Sequence, residues 1–362
     1  MKRIGAKIIF AAFVCVICLS QAVCGLIGDG ANHENRAMAE KPELSVENYA
    51  EFPKEYDQYA NDHILMRNEL VTVNNYIDYF IFQQSSNTNV ILGTDGWLFY
   101  SKEEDGDPVN SYRGMDLYTE EELKAVADNC VKQKEYAESI GKEFVIMIAP
   151  NKERMYAEYM PELYGEPAEE YRVKQIVDYL RANTDVRIVY PYDALKQAKT
   201  AVSDLLYYKS DTHWNSVGAY VGCRELLEEL GIEMPGVEDV ERVRTDPLSG
   251  DLAGMNGLAG FDFGDTYYVI NGYDTHGFEY ADYDFLGVVH CKTANGDGRK
   301  LYVVRDSFGS SMIEILGSQF CESWLRHFST YTPEDIKTYN PDIIVYETVE
   351  RYAYNLMTFS LE

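Results

Sequence analysis

Lys142-Glu-Phe-Val-Ile-Met-Ile-Ala149, stopped by Pro150, is an apolar run of strand length with no polar alternation after Glu143. Such a run belongs to a strand covered on both faces. Just upstream, Thr119 stands three residues before Glu122. That is a capping box, and the helix it opens is expected to run to Gly141. Working outward, the same alternation recurs. A helix is expected over 168–183 and a strand over 186–190. Asn215 is placed to cap a helix ending at Gly231. Residues 299–304 read as a strand and 310–320 as a helix. Thr332-Pro333 opens another helix, and Asp342-Ile-Ile-Val-Tyr346 is the last strand. Helices alternating with short buried strands predict a mostly parallel sheet with helices on both faces, an α/β three-layer sandwich. Residues 239–298 break the rhythm with Gly, Asp and Tyr and short alternating runs, so a β/loop insertion is expected there.

The chain begins differently. Lys2, Arg3 and Lys7 precede Ile8–Ile27, a run of 20 residues in which only Ser20 and Gln21 are clearly polar. As a helix it would span ~30 Å, the thickness of a bilayer core. Val23 before Cys24 departs from a good lipoprotein signal, so an uncleaved signal-anchor over residues 1–28 is expected. Basic residues before the span place the N-terminus in the cytoplasm and the rest outside, on the cell membrane as a single-pass protein, or secreted if the segment is cleaved. Residues 29–45 read as a linker and 46–362 as the folded domain. Its first part, to about residue 83, has apolar positions at helical spacing, so two short amphipathic helices are expected. Val90-Ile-Leu-Gly-Thr-Asp-Gly-Trp-Leu-Phe-Tyr100 then reads as a hairpin.

Lys and Arg number 32 against 60 Asp and Glu, a net charge of −28. Residues 1–30 hold three of the basic residues and one acid, so the exported remainder carries 29 basic and 59 acidic residues. A field of that sign repels phosphate backbones and excludes a nucleic-acid binder. Tyrosine is abundant, with 30 residues against 15 Phe and 3 Trp. Its flat face and polar tip suit sugars as well as ordinary packing. Cys130, Cys223, Cys291 and Cys321 are widely spaced beyond the apolar segment. They could form zero, one or two disulfides, and no zinc-ribbon pair occurs among them. No cofactor is called for.

Reactive groups concentrate at two expected strand ends, where open α/β sheets bind ligands. The first is Ser210-Asp211-Thr212-His213-Trp214-Asn215; the second is Val304-Arg305-Asp306-Ser307-Phe308-Gly309. In extended backbone Asp211 and His213 point to one side. The aspartate can then accept the imidazole Nδ1–H and leave Nε2 as a base. Ser307 falls in a strand-to-helix turn with its hydroxyl above the sheet. Backbone N–H groups at the helix start, Phe308 first, could receive an oxyanion. Gly250, Asp251 and Asn256 are further candidates for that support. Lys152 follows a strand end and could face the site or the solvent, and Asp306 could brace the serine turn. Trp214 and Tyr302 read as packing. Each motif alone also has an ordinary explanation: His213 as a satisfied core histidine, Ser307 as a helix cap, Asp-x-His as half of a metal site.

Asp211-Thr-His-Trp214 with Asn215 and Gly218, followed by Arg305-Asp-Ser-Phe308, resembles the AlgX/AlgJ-like branch of SGNH hydrolases, the DHHW family. Further similar motifs are Glu34-Asn-Arg36 with Pro42, Asp62-His63 with Arg67, and Gly93-Thr-Asp-Gly-Trp-Leu-Phe-Tyr100. Pro150-Asn-Lys152 with Tyr156 and Pro161, Ser249-Gly-Asp251-Leu252, and Pro341-Asp342 with Glu347 and Arg351 add to them. The resemblance implies an SGNH-like, flavodoxin-like sandwich in which Ser307 is nucleophile, His213 base and Asp211 orienter. It also implies O-acetylation of an exported polysaccharide or cell-envelope glycan, beside a membrane-bound O-acyltransferase of MBOAT type as acyl supplier. Secreted SGNH esterases have Gly-Asp-Ser where this chain has Arg305-Asp306-Ser307. A carbohydrate acetylesterase with the same triad, or a non-catalytic glycan-binding subunit of an export complex, are the alternatives.

Overall fold

The computed structural model describes residues 38–63 and 67–362. The apolar segment 8–27 and the motif at 34–36 lie outside them. Among the described residues no helix is long and apolar enough to cross a membrane. The chain divides into a first unit ending at Ser86 and a second, Asn87–Glu362. In the first, helices α1 (Phe52–Asp62) and α2 (Arg67–Ile77) lie where two amphipathic helices were expected, and a π-helical turn, Asp78–Phe82, follows α2.

The second unit opens with an antiparallel hairpin, β1 (Val90–Leu92) and β2 (Leu98–Tyr100). Helix α3 (Glu120–Ser139) begins at Thr119, whose side chain accepts from Glu122 N while the Glu122 carboxylate accepts from Thr119 N. It leads into β3 (Glu143–Ala149). Helix α4 (Arg172–Asn183), strand β4 (Arg187–Val189) and helix α5 (Tyr192–Ala201) follow. The α5 helix is absent from the sequence reading, because its Leu195 and Ala198 are the only two residues it buries. Helix α6 (Ser216–Glu229) is capped by Asn215, which accepts from Val217 N and Gly218 N.

The region 239–298 divides in two. Strands β5 (Glu241–Pro247) and β6 (Thr266–Asn271) form a separate antiparallel pair, with the single turn α7 (Asp251–Met255) between them. Strands β7 (Phe278–Tyr283) and β8 (Val288–Thr293) instead join the main sheet, so only part of the expected insertion stands apart from it. Next come β9 (Asp297–Arg305), the turn α8 (Ile313–Gly317), β10 (Phe320–His327), α9 (Glu334–Tyr339) and β11 (Ile343–Val349). The helix expected over 310–320 is a 3₁₀ turn at Phe308–Met312 plus α8. Gly317 ends it against β8, since a Cβ there would lie 2.9 Å from Cys291 Cβ. The main sheet runs β4-β3-β11-β9-β10-β8-β7. From β4 to β10 it is parallel; β8 runs antiparallel to β10, and β7 antiparallel to β8.

Alternate residues of the central strands enter two cores. Val145, Met147, Val303 and Val345 pack on one face with Leu195 of α5 and Leu226 of α6. Phe144, Ile146, Val304 and Ile344 pack on the other with Val126 of α3 and Ile176 of α4. This is the three-layer sandwich, and it explains why β3 reads as continuously apolar. Cys130, Cys223, Cys291 and Cys321 are all free thiols.

Candidate active site

Strand β9 ends at Arg305, and the chain bends at once through Asp306 and Ser307 into the 3₁₀ turn. Ser307 therefore stands at the carboxyl end of a central parallel strand. The bend needs a glycine at 309, because a Cβ there would lie 2.6 Å from both Arg305 Cβ and Glu347 Oε2. Asp306 ties the bend down from both sides. Its Oδ1 accepts from Phe308 N at 2.8 Å and its Oδ2 from Val349 N at 2.6 Å. Below it, Glu347 is buried and accepts from Asp306 N at 3.1 Å.

The loop before α6 is held just as firmly. Asp265 accepts from Lys209 N at 2.8 Å and from Ser210 N and Oγ at 2.8 and 2.6 Å. Lys152 is fully buried and its ammonium donates to the carbonyls of Tyr208, Lys209 and Asp211. Gly250 presses against the same loop; a Cβ there would meet Ser210 O at 2.2 Å. Trp214 joins loop and bend. Its buried indole donates to Phe308 O at 2.9 Å and packs at 5.6 Å from the Phe308 ring.

These supports bring three side chains into line. His213 Nε2 is 2.8 Å from Ser307 Oγ, and His213 Nδ1 is 2.6 Å from Asp211 Oδ1. The carboxylate fixes the tautomer: Nδ1–H donates to Asp211, so Nε2 accepts from the serine hydroxyl. Asp211 Oδ1 also accepts from His213 N and its Oδ2 from Asp251 N. Burial would raise the Asp211 carboxyl, but the hydrogen bonds it accepts, from the His213 ring first and then from Asp251 N and His213 N, hold it well below the usual range. A fixed carboxylate, an oriented imidazole and a serine hydroxyl can perform nucleophilic acyl transfer.

The remaining candidates take other tasks. Phe308 N donates to Asp306, Gly250 N to Ser210 Oγ and Asp251 N to Asp211, so these N–H groups are committed to bracing and not aimed at an oxyanion. Asp251 also accepts from Thr212 N at 2.8 Å and Thr212 Oγ1 at 2.6 Å, and that hydroxyl sits 3.2 Å from His213 Nδ1. Asn256 is buried and accepts from Asn87 N. Lys152 faces neither solvent nor substrate; it anchors the Asp211 loop. Asp211, His213 and Asp251 lie close enough to share a cation. Their facing atoms are already bonded to one another or to Thr212, which disfavours that use. Sequence reasoning missed Asp265 and Thr212. Asp265 lies in a loop with no motif, while Thr212, between two singled-out residues, was within reach.

Burial pushes the Glu347 carboxyl well above the usual carboxylate range. A raised carboxyl stabilises the fold below its unfolded value near 4.5, and that contribution is lost as pH climbs through the folded value. Glu347→Gln is neutral at every pH. Its melting temperature relative to the wild type's should climb as pH rises above 5, read by calorimetry. Parallel curves for the two proteins would mean that Glu347 does not titrate in this window.

An α/β domain with an Asp-His-Ser relay at the carboxyl edge of its parallel strands is the arrangement of SGNH-type hydrolases. Residues 90–263 match the family described as "ALGX: SGNH hydrolase-like domain, acetyltransferase AlgX". That segment holds the hairpin, Asp211, His213 and Asp251, and Ser307 lies beyond it. The chain is 30% identical over 183 residues to a Pseudomonas fluorescens protein described as "Probable alginate O-acetylase AlgJ", covering 49% of this chain and 43% of that one. It is 25% identical over 182 residues to its Pseudomonas putida namesake, covering 49% and 44%. The chain thus spans under half the length of these relatives. Bacillus cereus PatB1 with a sulfonyl adduct superposes with a TM-score of 0.51 at 14% identity, over 74% of this chain and 96% of that one; at this identity the likeness shows the fold. The AlgX/AlgJ-like resemblance carried by the motifs is therefore sustained.

Proposed function

We propose that this chain is an extracytoplasmic serine-dependent O-acyltransferase that acetylates an exported polysaccharide. The observation that carries the reading is the unbroken hydrogen-bonded line from Asp211 through His213 to Ser307. Ser307 Oγ attacks the donor's acyl carbonyl while His213 Nε2 takes the hydroxyl proton. The tetrahedral intermediate collapses, the donor's leaving group departs with that proton, and Ser307 is left acylated. A glycan hydroxyl then attacks, giving its proton to His213, and the acyl group moves to the sugar as Ser307 regains a proton. Water in place of the glycan would make the protein an acetylesterase, with all other steps unchanged. The relatives' description as alginate O-acetylases supports transfer to a polysaccharide.

In this reading residues 8–27 anchor the chain with its N-terminus in the cytoplasm, and a multi-span membrane O-acyltransferase delivers the acyl group from inside. One experiment addresses reaction and side together. Intact cells carrying the full chain receive an activated acetyl ester and an oligosaccharide too large to cross the membrane. The expected product is acetylated oligosaccharide outside the cells. Free acetate unaffected by any acceptor would identify an esterase. Turnover only after lysis would place the domain in the cytoplasm.

A further inference from the structure

Among the described residues strand β7 is one of the two edges of the main sheet, opposite β4, and it runs in the same direction as β9. Its carboxyl end therefore lies at the Ser307 end of the sheet. Along it and just past its end, Tyr280, Tyr283 and Phe285 are 45%, 54% and 45% exposed, unusual for three neighbouring aromatic rings. They form one row. Ring centroids are 5.3 Å apart from Tyr280 to Tyr283 and 6.5 Å from Tyr283 to Phe285. Half-buried Phe278 roots the row, 4.9 Å from Tyr280. At the other end Arg305, two residues before Ser307, braces Phe285. Its guanidinium carbon lies 5.2 Å from the Phe285 ring and its Nη2 donates to Phe285 O at 2.7 Å.

From this row we infer the acceptor class: a polysaccharide without anionic groups, laid along Tyr280, Tyr283 and Phe285 so that a hydroxyl reaches Ser307. The inference rests on the acyl-transfer reading and deepens it. The 5.3 Å step from Tyr280 to Tyr283 approximates the length of one pyranose unit. Those two rings meet edge to face at 86°, so Tyr283 and Phe285, 22° apart in plane, supply the flat faces for the C–H side of a sugar, and Tyr280 supplies an edge and a hydroxyl. Charge selects among sugars. Exposed Glu314 is near enough for its charge to act on the Tyr280 hydroxyl, and exposed Asp284 sits between Tyr283 and Phe285. Arg305 is buried, and its guanidinium is already bonded to Phe285 O, Ser310 Oγ and Asp306 O. On a chain of net charge −28, such a row repels uronates and phosphates and leaves uncharged sugars unhindered.

The test is affinity electrophoresis of the full chain in non-ionic detergent, through gels holding an uncharged β-glucan, an uncharged β-mannan or a polyuronate. Retardation by at least one uncharged polymer and none by the polyuronate is expected. The double variant Tyr283→Ala, Phe285→Ala should bind about tenfold more weakly. Tyr283→Phe, which keeps the ring, should bind as the wild type does, so a folding defect cannot pass for a lost site. Equal or stronger retardation by the polyuronate, no retardation by either uncharged polymer, or full binding by the double alanine variant would overturn the inference. So would an effect of the ring variants on oligomeric state alone, which would make the row a contact between copies. Binding needs no acyl donor, so intact binding without acetyl transfer would count against the transfer reading only.

Discussion

Ser307→Ala should reduce hydrolysis of an activated acetyl ester such as nitrophenyl acetate to the background rate, roughly a 10³-fold loss in kcat/KM. The activated ester needs little help with its leaving group, so even a site built for a polymer turns it over slowly. His213→Ala should lose a similar factor, because Nε2, 2.8 Å from Ser307 Oγ, is the base within reach of the hydroxyl proton. The double variant should be little worse than either single one, since the two act as a unit. A sulfonyl fluoride should add its mass to Ser307 in the wild type and fail to label Ser307→Ala. Asp211→Asn should fall less far. Its side chain also receives His213 N and Asp251 N, and an amide can keep one of those bonds while misdirecting the ring. Undiminished hydrolysis by Ser307→Ala would remove it as nucleophile and leave the relay as structure alone.

Much of this site could be read before any coordinates. The three relay residues sit in two short motifs, and each motif follows an element whose end the sequence marks. Pro150 stops β3, Asn215 caps α6, and the apolar run ending at Val304 stops before Arg305. What could not be read was the second set of partners. Phe308, Gly250 and Asp251 have the residue types and places of oxyanion donors, yet each backbone N–H is already engaged by a side chain, that of Asp306 in the same bend for Phe308 and those of the distant Ser210 and Asp211 for the other two. Ser210 and Asp211 reach across about 40 residues of chain to Gly250 and Asp251, and such choices depend on tertiary geometry that spacing does not encode.

The fold shows the same division. Buried central strands declare themselves through continuous apolar runs, whereas β7 and β8 do not. Beside the core residues Val289 and Cys291 of β8 stand His290 and Lys292, and β7 exposes most of its length, as an edge strand can. The region therefore reads as insertion. β10 was missed for a related reason: Cys321, Glu322 and Ser323 interrupt its apolar positions. That interruption reflects local pairing, since Glu322 lies 3.0 Å from His290 on β8 and from Lys300 on β9.

Lys152→Met should cost about 3 kcal/mol of stability and most of the activity, although Lys152 touches no reacting atom. The wild-type ammonium donates to three carbonyls at once. Lys209 O keeps a second donor, Leu98 N, so the loss falls mainly on Tyr208 O and Asp211 O. A buried carbonyl left unpaired costs about 1–3 kcal/mol. Removing the desolvated charge returns part of that, and the methionine still fills the space beside Trp97 and Phe99. For a domain of this size the net loss lowers the melting temperature by several degrees. Activity falls because Asp211 O is one of the freed groups, and a shift there misplaces the carboxylate under His213. The pH dependence separates this mechanism from general loosening. Burial pulls the Lys152 ammonium down to about 8 from 10.5, against the raising influence of Glu153, Asp211, Asp251 and Asp265. Between those values the folded chain binds fewer protons than the unfolded chain, so stability rises with pH there and is lost again as pH falls through 8. Calorimetry from pH 7 to 10 should show that rising component in the wild type and not in Lys152→Met. A variant as stable as the wild type at pH 7, with the same pH slope, would mean that the Asp211 loop holds its shape without the buried lysine.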